Sequence, residues 1–297
     1  MITAIVTVFF PKESNVINIQ KISEQVDRVI ICDNTPYYNK ILKNVSKNCI
    51  YKAFCRNLGL SQAFNTVLRD STFNWLNDEY IIFFDQDSQI EEEHIEILVR
   101  NFQKIEECEQ IGVLGPVFYN QSNGEIEVPR MKKKIFKNIF KVSSIITSSM
   151  LTKYKILKNI GFWNDEIFLD MADWDICWRL KVNGYECFLT NDIIMKHCLG
   201  IGEKKIIFMK IRVGSPFREY YQIRDSQYLL KKDYVPLKYK IRFWMMLTIR
   251  SIIHIIFLEK SKERIYYIKL GYKDFRENRH GELTENKLYK KRINSKC

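Results

Sequence analysis

The sequence predicts an α/β fold: a mostly parallel central sheet flanked by helices, continued by a helical, basic C-terminal extension. Three observations carry this expectation. Short β-branched and apolar runs alternate with segments of helical spacing through the first 120 residues, the pattern of parallel strands joined by crossover helices. The 297 residues are 46% hydrophobic with 11 Gly and 6 Pro, enough for a full core in one large domain or one domain with an appendage. From Pro216 onward, apolar and basic residues interleave in a helical pattern.

The elements follow in order. Residues 3–10 are β-branched and apolar, and Pro11 ends the run. Residues 15–26 have helical spacing, with Val16, Ile17, Ile19, Ile22 and Val26 as the expected buried stripe. A second strand over 28–32 ends at Asp33-Asn34, with Thr35-Pro36 as the break, and 50–54 is a third. A helix over 60–68 precedes the apolar run Tyr80-Ile81-Ile82-Phe83-Phe84, and a long helix is expected over about 91–110. Farther on, 143–149 reads as a strand, 151–160 as a helix, 173–182 as a helix stopped by Asn183-Gly184, and 193–197 as a short strand. No G-x-G-x-x-G or Walker-type loop follows the first strand, which argues against a dinucleotide-binding or P-loop protein.

The net charge of +12 is unevenly placed. Residues 1–202 carry 23 Lys and Arg against 25 Asp and Glu, a balance of −2; residues 203–297 carry 24 against 10, a balance of +14. A basic block of that kind suits a polyanion, either nucleic acid or the anionic cytoplasmic leaflet. The eight cysteines form no C-x-x-C pair, and the several that sit inside apolar runs read as small buried hydrophobes in a reducing compartment. The N-terminus has no basic n-region and reads as a first strand, so the cytosol is the expected location.

The chemistry concentrates at the strand ends. Asp85-Gln86-Asp87-Ser88 arrives directly off the apolar run Tyr80-Ile81-Ile82-Phe83-Phe84, the fourth expected strand. In an extended strand, residues i and i+2 share a face, so Asp85 and Asp87 can converge on one cation or one ribose; a lone D-x-D is otherwise a solvated turn. Two carboxylates plus substrate phosphates are the usual seat of Mg²⁺ or Mn²⁺. Ligands on such sheets bind outside the carboxyl ends of the strands, where Asp33 also falls. A second acidic cluster, Asp170, Asp173 and Asp175 among Phe168, Trp174 and Trp178, opens a helix. It reads either as dipole-favoured helix-start charge or as a general base with a raised pKa.

His197 is either a core or surface histidine or a third metal ligand. Arg56-Asn57-Leu58-Gly59 is either a loop and helix start or a polar turn against a nucleotide. Arg218, Tyr220, Tyr221 and Arg224 read as a solvated basic face or as a clamp on a diphosphate or lipid phosphate. Residues 243–258 form the longest apolar stretch, too short for the roughly 20 residues that span a bilayer. With Lys238, Lys240, Arg242, Lys260, Lys262 and Arg264 around it, it suits an interfacial helix, a core helix being the alternative.

Together these residues resemble the inverting glycosyltransferases of family 2, which have the GT-A fold, and within them the bacterial rhamnosyltransferase-like group. The matches run in chain order: Val8-Phe9-Phe10-Pro11, Asp33-Asn34, Asn57-x-Gly59 with Ala63 and Asn65, Phe84-Asp85-Gln86-Asp87-Ser88, Phe168-Leu169-Asp170 to Arg179, His197 with Gly200, Ser215-Pro216-x-Arg218-x-Tyr220-Tyr221-x-x-Arg224, and Gly271-Tyr272-Lys273-Asp274 through Arg279-His280-Gly281. The chain departs from the group at Asp225, where Asn is usual, and at Phe9-Phe10, where Tyr-Asn is commoner.

The resemblance implies a GT-A catalytic domain over 1–230 and a helical, basic, membrane-associating region over 231–297. It implies a nucleotide-sugar donor held by Val8, Phe10, Asp33, Arg56, Asn57, Asp85, Arg218 and Arg224. It further implies Mg²⁺ or Mn²⁺ held by Asp85, Asp87 and His197, and Asp173 as the catalytic base. The expected enzyme moves L-rhamnose from a dTDP donor, or a galactofuranosyl or other hexosyl unit, onto a lipid-linked saccharide for a surface polysaccharide such as capsule or O-antigen. It would work at the inner face of the plasma membrane as a peripheral protein. A metal-dependent nucleotidyltransferase is a rival, weakened because Phe10-Pro11-Lys12-Glu13-Ser14 stands where its glycine-rich phosphate loop belongs. A nucleic-acid-binding module would account for the C-terminal charge but not for carboxylates that repel phosphate.

Overall fold

A computed structural model describes residues 1–120, 125–127, 133–197, 203–206, 209–212 and 214–283. β1 (Ile2–Val8) is followed by α1 (Glu13–Ser23), β2 (Arg28–Asp33), β3 (Cys49–Ala53), α2 (Gly59–Leu68), β4 (Tyr80–Asp85) and α3 (His94–Glu106). The chain continues through β5 (Ile111–Asn120), β6 (Glu125–Glu127), β7 (Lys133–Phe136), β8 (Ile139–Val142), β9 (Met150–Lys153), α4 (Tyr154–Asn159), α5 (Ala172–Val182) and β10 (Glu186–His197). After the short antiparallel pair β11 (Glu203–Ile206) and β12 (Met209–Arg212) come α6 (Pro216–Leu230), α7 (Leu237–Met245), α8 (Ser251–Phe257) and α9 (Ser261–Arg276).

The main sheet runs β3-β2-β1-β4-β9-β5-β10-β8-β7, with β6 paired to β5. Its first half is parallel: β1 pairs β2 and β4, and β2 pairs β3, all in the same direction. β9 then enters antiparallel between β4 and β5. Ala4, Ile5, Val6, Val29, Ile30, Ile31 and Ile81, Ile82, Phe83, Phe84 are all fully buried, which is why these runs are apolar throughout: helices cover both faces of a parallel sheet. The expectation from the strand–helix alternation holds for this half to within a few residues.

Two expected elements are corrected. Residues 143–149 are not a strand, and the strand begins only at Met150. The expected helix over 151–160 is instead β9 followed by the short α4. Pairing between β4 and β5 holds Met150, Leu151 and Thr152 extended and fully buried, and tertiary pairing of this kind overrides local preference.

The C-terminal helices pack back onto the sheet domain. Gly271 on α9 allows close contact with α6, since a Cβ there would lie 2.8 Å from the Tyr220 carbonyl oxygen. Asp274 accepts from the Tyr220 hydroxyl at 2.8 Å, and the Gly281 carbonyl accepts from Arg224 at 2.7 Å. The Gly271–Asp274 and Gly281 signature thus joins α9 to α6. Among the described residues no helix is long and apolar enough to cross a membrane, and the described cysteines are free, with Cys32, Cys177 and Cys187 buried.

Candidate active site

The sheet register brings the strand-end residues together. Val8 pairs with Asp33 and Thr7 with Asp85, so Asp33 and Asp85 flank the end of β1, roughly 10 Å apart at two strand spacings. Beyond β4 the chain turns sharply: the Ser88 N–H donates to the Asp85 carbonyl at 3.1 Å, and the Asp85 N–H donates to Ser88 Oγ at 3.1 Å. Ser88 is buried against Ser148. Gln86 pins the turn to β1 and α1, its side-chain oxygen accepting from Phe9 N–H at 2.7 Å and its carbonyl from Asn15 and Asn18 at 3.0 and 3.2 Å. Asp85 is partly exposed and Asp87 exposed.

On the β1–β2 side, Val8 is buried and Phe10 takes a left-handed backbone with φ 50. Its N–H donates to Thr35 Oγ1 at 3.0 Å, and its ring meets Tyr37 edge-on at 5.8 Å. Asp33 lies beneath, fully buried, accepting from Thr35 N–H at 2.9 Å, Asn39 Nδ2 at 2.6 Å and the Tyr51 hydroxyl at 2.7 Å. Its carboxylate is engaged within the protein, and a nucleoside would have to share one of these oxygens. Arg56 is exposed, and Asn57 Oδ1 accepts from the Gly59 N–H at 3.0 Å.

Gly59 is required by two close approaches. Its φ is +76, and a Cβ would sit 2.3 Å from the Phe168 carbonyl oxygen, which accepts from Leu60 N–H at 2.7 Å. Phe168 is held from the other side as well: its N–H donates to Asp225 at 2.9 Å and its ring stacks on Tyr221 at 4.3 Å. Asn65 fixes the start of the same loop through both the N–H and the carbonyl of Trp163. α2 and α6 thereby clamp the segment that delivers the acidic cluster.

The three carboxylates of that cluster have separate surroundings. Asp175 is buried and accepts from Arg179 at 2.8 Å, from the Tyr234 hydroxyl at 2.6 Å and from Asn164 at 3.1 Å, the i+4 partnership that its spacing implies. Asp170 is gripped in two-pronged fashion by Arg218, with Nε and Nη2 at 2.9 and 2.6 Å from Oδ1. Asp173 is partly buried, with one oxygen accepting from the Trp174 N–H at 2.9 Å. Burial, reinforced by the charges of Asp170 and Asp85, pushes the Asp173 carboxyl up to about 6 against the pull of that N–H. Arg218 is held charged by Asp170 first, and the field of Asp85 adds to this. Asp85, Asp173, Asp170 and Arg218 are therefore electrostatic neighbours at one end of the sheet.

Arg224 is a correction. Six residues on from Arg218, it lies about 120° away around the helix. It is completely buried under Tyr220 and Tyr221, with the guanidinium carbon 5.0 and 5.2 Å from the two ring centres. It donates to Asp225 at 2.8 Å, to the Tyr220 hydroxyl at 3.0 Å and to Gly281, so it joins α6 to α9 and does not face the strand ends. His197 ends β10, paired with Asn120; its side chain lies outside the described residues. Among the described residues no cluster of three His, Cys, Asp or Glu side chains forms a ready metal cage. The carboxylates of Asp85 and Asp87 fit a hard divalent ion that completes its shell with water and substrate phosphate. Sequence reasoning missed Gln86 as the anchor of the turn, although its place between two aspartates was the available signal. It also missed the Asp170–Arg218 pair, which joins segments 48 residues apart.

The sequence model described as "Glycosyl transferase family 2" matches residues 8–161, just over half of the chain. The chain belongs to glycosyltransferase family 2. The match spans the strand ends that carry Asp33, Asp85 and Asp87, so these carboxylates sit in the part of the chain that defines the family. A relative, the dTDP-rhamnosyl transferase RfbF of Shigella flexneri, is 29% identical over 285 residues, covering 90% of this chain and 92% of its own. The crystal structure of GalNAc-T7 with UDP, GalNAc and Mn²⁺ aligns with a TM-score of 0.59 at 13% identity over 93% of this chain, which spans 56% of that longer chain. S. aureus TarS 1–349 aligns with a TM-score of 0.54 at 14% identity, covering 94% of this chain and 92% of that one. This family 2 glycosyltransferase shares their GT-A fold.

Proposed function

We propose that this enzyme transfers L-rhamnose from a dTDP donor, with inversion, to a lipid-linked saccharide during synthesis of a surface polysaccharide such as capsule or O-antigen, at the cytoplasmic face of the membrane. The observation that carries the donor assignment is the similarity to the dTDP-rhamnosyl transferase over nine-tenths of both chains. The catalytic unit is residues 1–230, with 231–297 as the membrane-associating part.

In this reading Asp173 takes the proton from the acceptor hydroxyl as that oxygen attacks the anomeric carbon from the face opposite the leaving diphosphate. A carboxyl raised to about 6 is still ionised near neutrality and is a stronger base than an ordinary aspartate. Asp85 and Asp87, with His197 as the third ligand, would hold Mg²⁺ or Mn²⁺; the ion, when bound, neutralises charge building on the departing diphosphate. Arg218, poised on Asp170, adds a guanidinium for the same phosphates. Val8, the Phe10–Tyr37 aromatic pair, Asp33, Arg56 and Asn57 line the nucleoside side.

A donor-hydrolysis screen with Mn²⁺ or Mg²⁺ tests the donor assignment, because water can replace a missing acceptor. dTDP-rhamnose should be consumed fastest. Faster consumption of UDP-galactofuranose or of a UDP-hexose would replace the donor assignment while leaving the family intact.

A further inference from the structure

α7, a π turn over Met246–Arg250 and α8 form one continuous helix over 237–257, about 30 Å long. Its inner face is buried through Phe243, Leu247, Ser251 and His254. Its outer face carries Leu237, Ile241, Trp244, Ile249, Ile252 and Ile256, each between 48% and 73% exposed. A continuous apolar strip on the surface face of a helix, opposite its buried face, marks a missing partner. The steps along the strip are three or four residues, except for five from Trp244 to Ile249, the step a π turn accommodates. Without that turn the second half of the strip would rotate away from the first. π turns are rare and gather at functional places.

We infer that this outer face lies in the interfacial layer of an anionic bilayer, parallel to its plane, and that it thereby brings the active site to a membrane-held acceptor. The membrane setting and the acceptor rest on the reading above; the face that makes the contact, and its orientation, are the addition. Charge selects the occupant. Residues 237–257 present Lys238, Lys240 and Arg242 and contain no acidic residue, while Arg250 is turned inward onto Gln222 and His254. Next to the helix, a depression of about 470 Å³ is lined by Lys269, Lys273 and Arg276 against one acidic residue, Glu277, and Tyr272 of the same depression donates to the Leu247 carbonyl at 3.1 Å. A second copy of the chain would oppose like charge to like charge, whereas anionic headgroups neutralise it. An amphipathic helix with basic residues around an apolar face, not apolar enough to cross a membrane, is the form that lies in a membrane interface. The inner face supplies the link to chemistry: Trp174, the neighbour of Asp173, packs on Tyr239 and Phe243 at 5.7 and 6.2 Å and lies under the Arg242 guanidinium at 4.8 Å.

Full-length wild type and the double variant Ile241→Glu with Ile252→Glu are compared by co-sedimentation with vesicles of phosphatidylcholine plus phosphatidylglycerol and of phosphatidylcholine alone. The wild type should bind the anionic vesicles, less so as salt rises, and brominated lipid should quench a component of its fluorescence that Trp244→Phe removes. The double variant should lose binding about tenfold or more, while melting normally and hydrolysing donor at the wild-type rate. Donor hydrolysis reads the active site without a membrane, so a dead site and an absent membrane surface give different results. Wild type that ignores anionic vesicles, or that is a dimer turned monomeric by the two substitutions, overturns the proposal. So does a double variant that still binds.

Discussion

Asp173→Asn should lower sugar transfer by about 10²–10⁴-fold, the contribution expected of a positioned general base, while nucleotide affinity should stay near the wild-type value. The substitution keeps the side-chain shape and removes only the proton acceptor. The neighbouring carboxylates give distinct controls. Asp175→Asn strikes the buried contacts to Arg179, Tyr234 and Asn164, so its loss of activity should come with a lowered melting temperature. Asp170→Asn weakens the hold on Arg218 and should act on donor affinity first. Near wild-type transfer by Asp173→Asn, with Asp170→Asn or Asp175→Asn dead yet folded, would assign the base elsewhere.

The pH dependence follows from the same residue. Only the ionised carboxylate accepts a proton, so the rate should fall as pH drops through about 6. Stability runs the other way. The folded value lies above the unfolded one near 4, so the fold binds this proton more tightly than the unfolded chain does. The resulting stabilisation is complete below about 4 and lost as pH rises through about 6. Asp173→Asn should therefore melt higher than wild type at pH 8, and the gap should narrow toward pH 4.

Asp87→Ala should lower donor hydrolysis to a similar degree. Losing several kcal/mol of charge neutralisation at the diphosphate corresponds to about 10²–10⁴-fold in rate. Asp87 is exposed at a turn that Gln86 and Ser88 hold in place, so the melting temperature should not move. EDTA should reduce wild type to the level of Asp87→Ala, have little further effect on that variant, and be reversed by added Mn²⁺. His197→Ala should raise the metal concentration needed for activity more than it lowers the melting temperature. Full wild-type activity in excess EDTA removes the ion, and with it the roles given to Asp85, Asp87 and His197.

The parallel half of the sheet was legible because each strand is a short apolar run stopped by a polar or proline-bearing turn, and the strand ends by themselves placed Asp33 beside Asp85. β5 escaped because Gly112, Gly115 and Pro116 read as breakers within it. In the fold the first two are close-approach positions, where a Cβ would meet Tyr185 at 2.9 Å and Ile145 at 3.2 Å. β9 escaped because its neighbours in the sheet, not its own composition, hold it extended. The acidic cluster was legible as a set, and Asp175 with Arg179 followed from helical spacing alone. The pairing of Asp170 with Arg218 depends on how α6 lies against the loop before α5, a long-range contact that no local pattern encodes. The misreading of Arg224 was of a different kind, since helical arithmetic already set it on another face from Arg218.

The central claim is a single displacement at the anomeric carbon, with Asp173 as base and the strand-end carboxylates serving the diphosphate. It is tested most directly by following dTDP-rhamnose turnover by NMR at early times, before the released sugar mutarotates, in wild type, Asp173→Asn and wild type with EDTA. The expected result is first-formed rhamnose of the anomeric configuration opposite to the donor, with turnover lost in the other two samples. Rhamnose released first with the donor's own configuration, or undiminished turnover by Asp173→Asn, would contradict it.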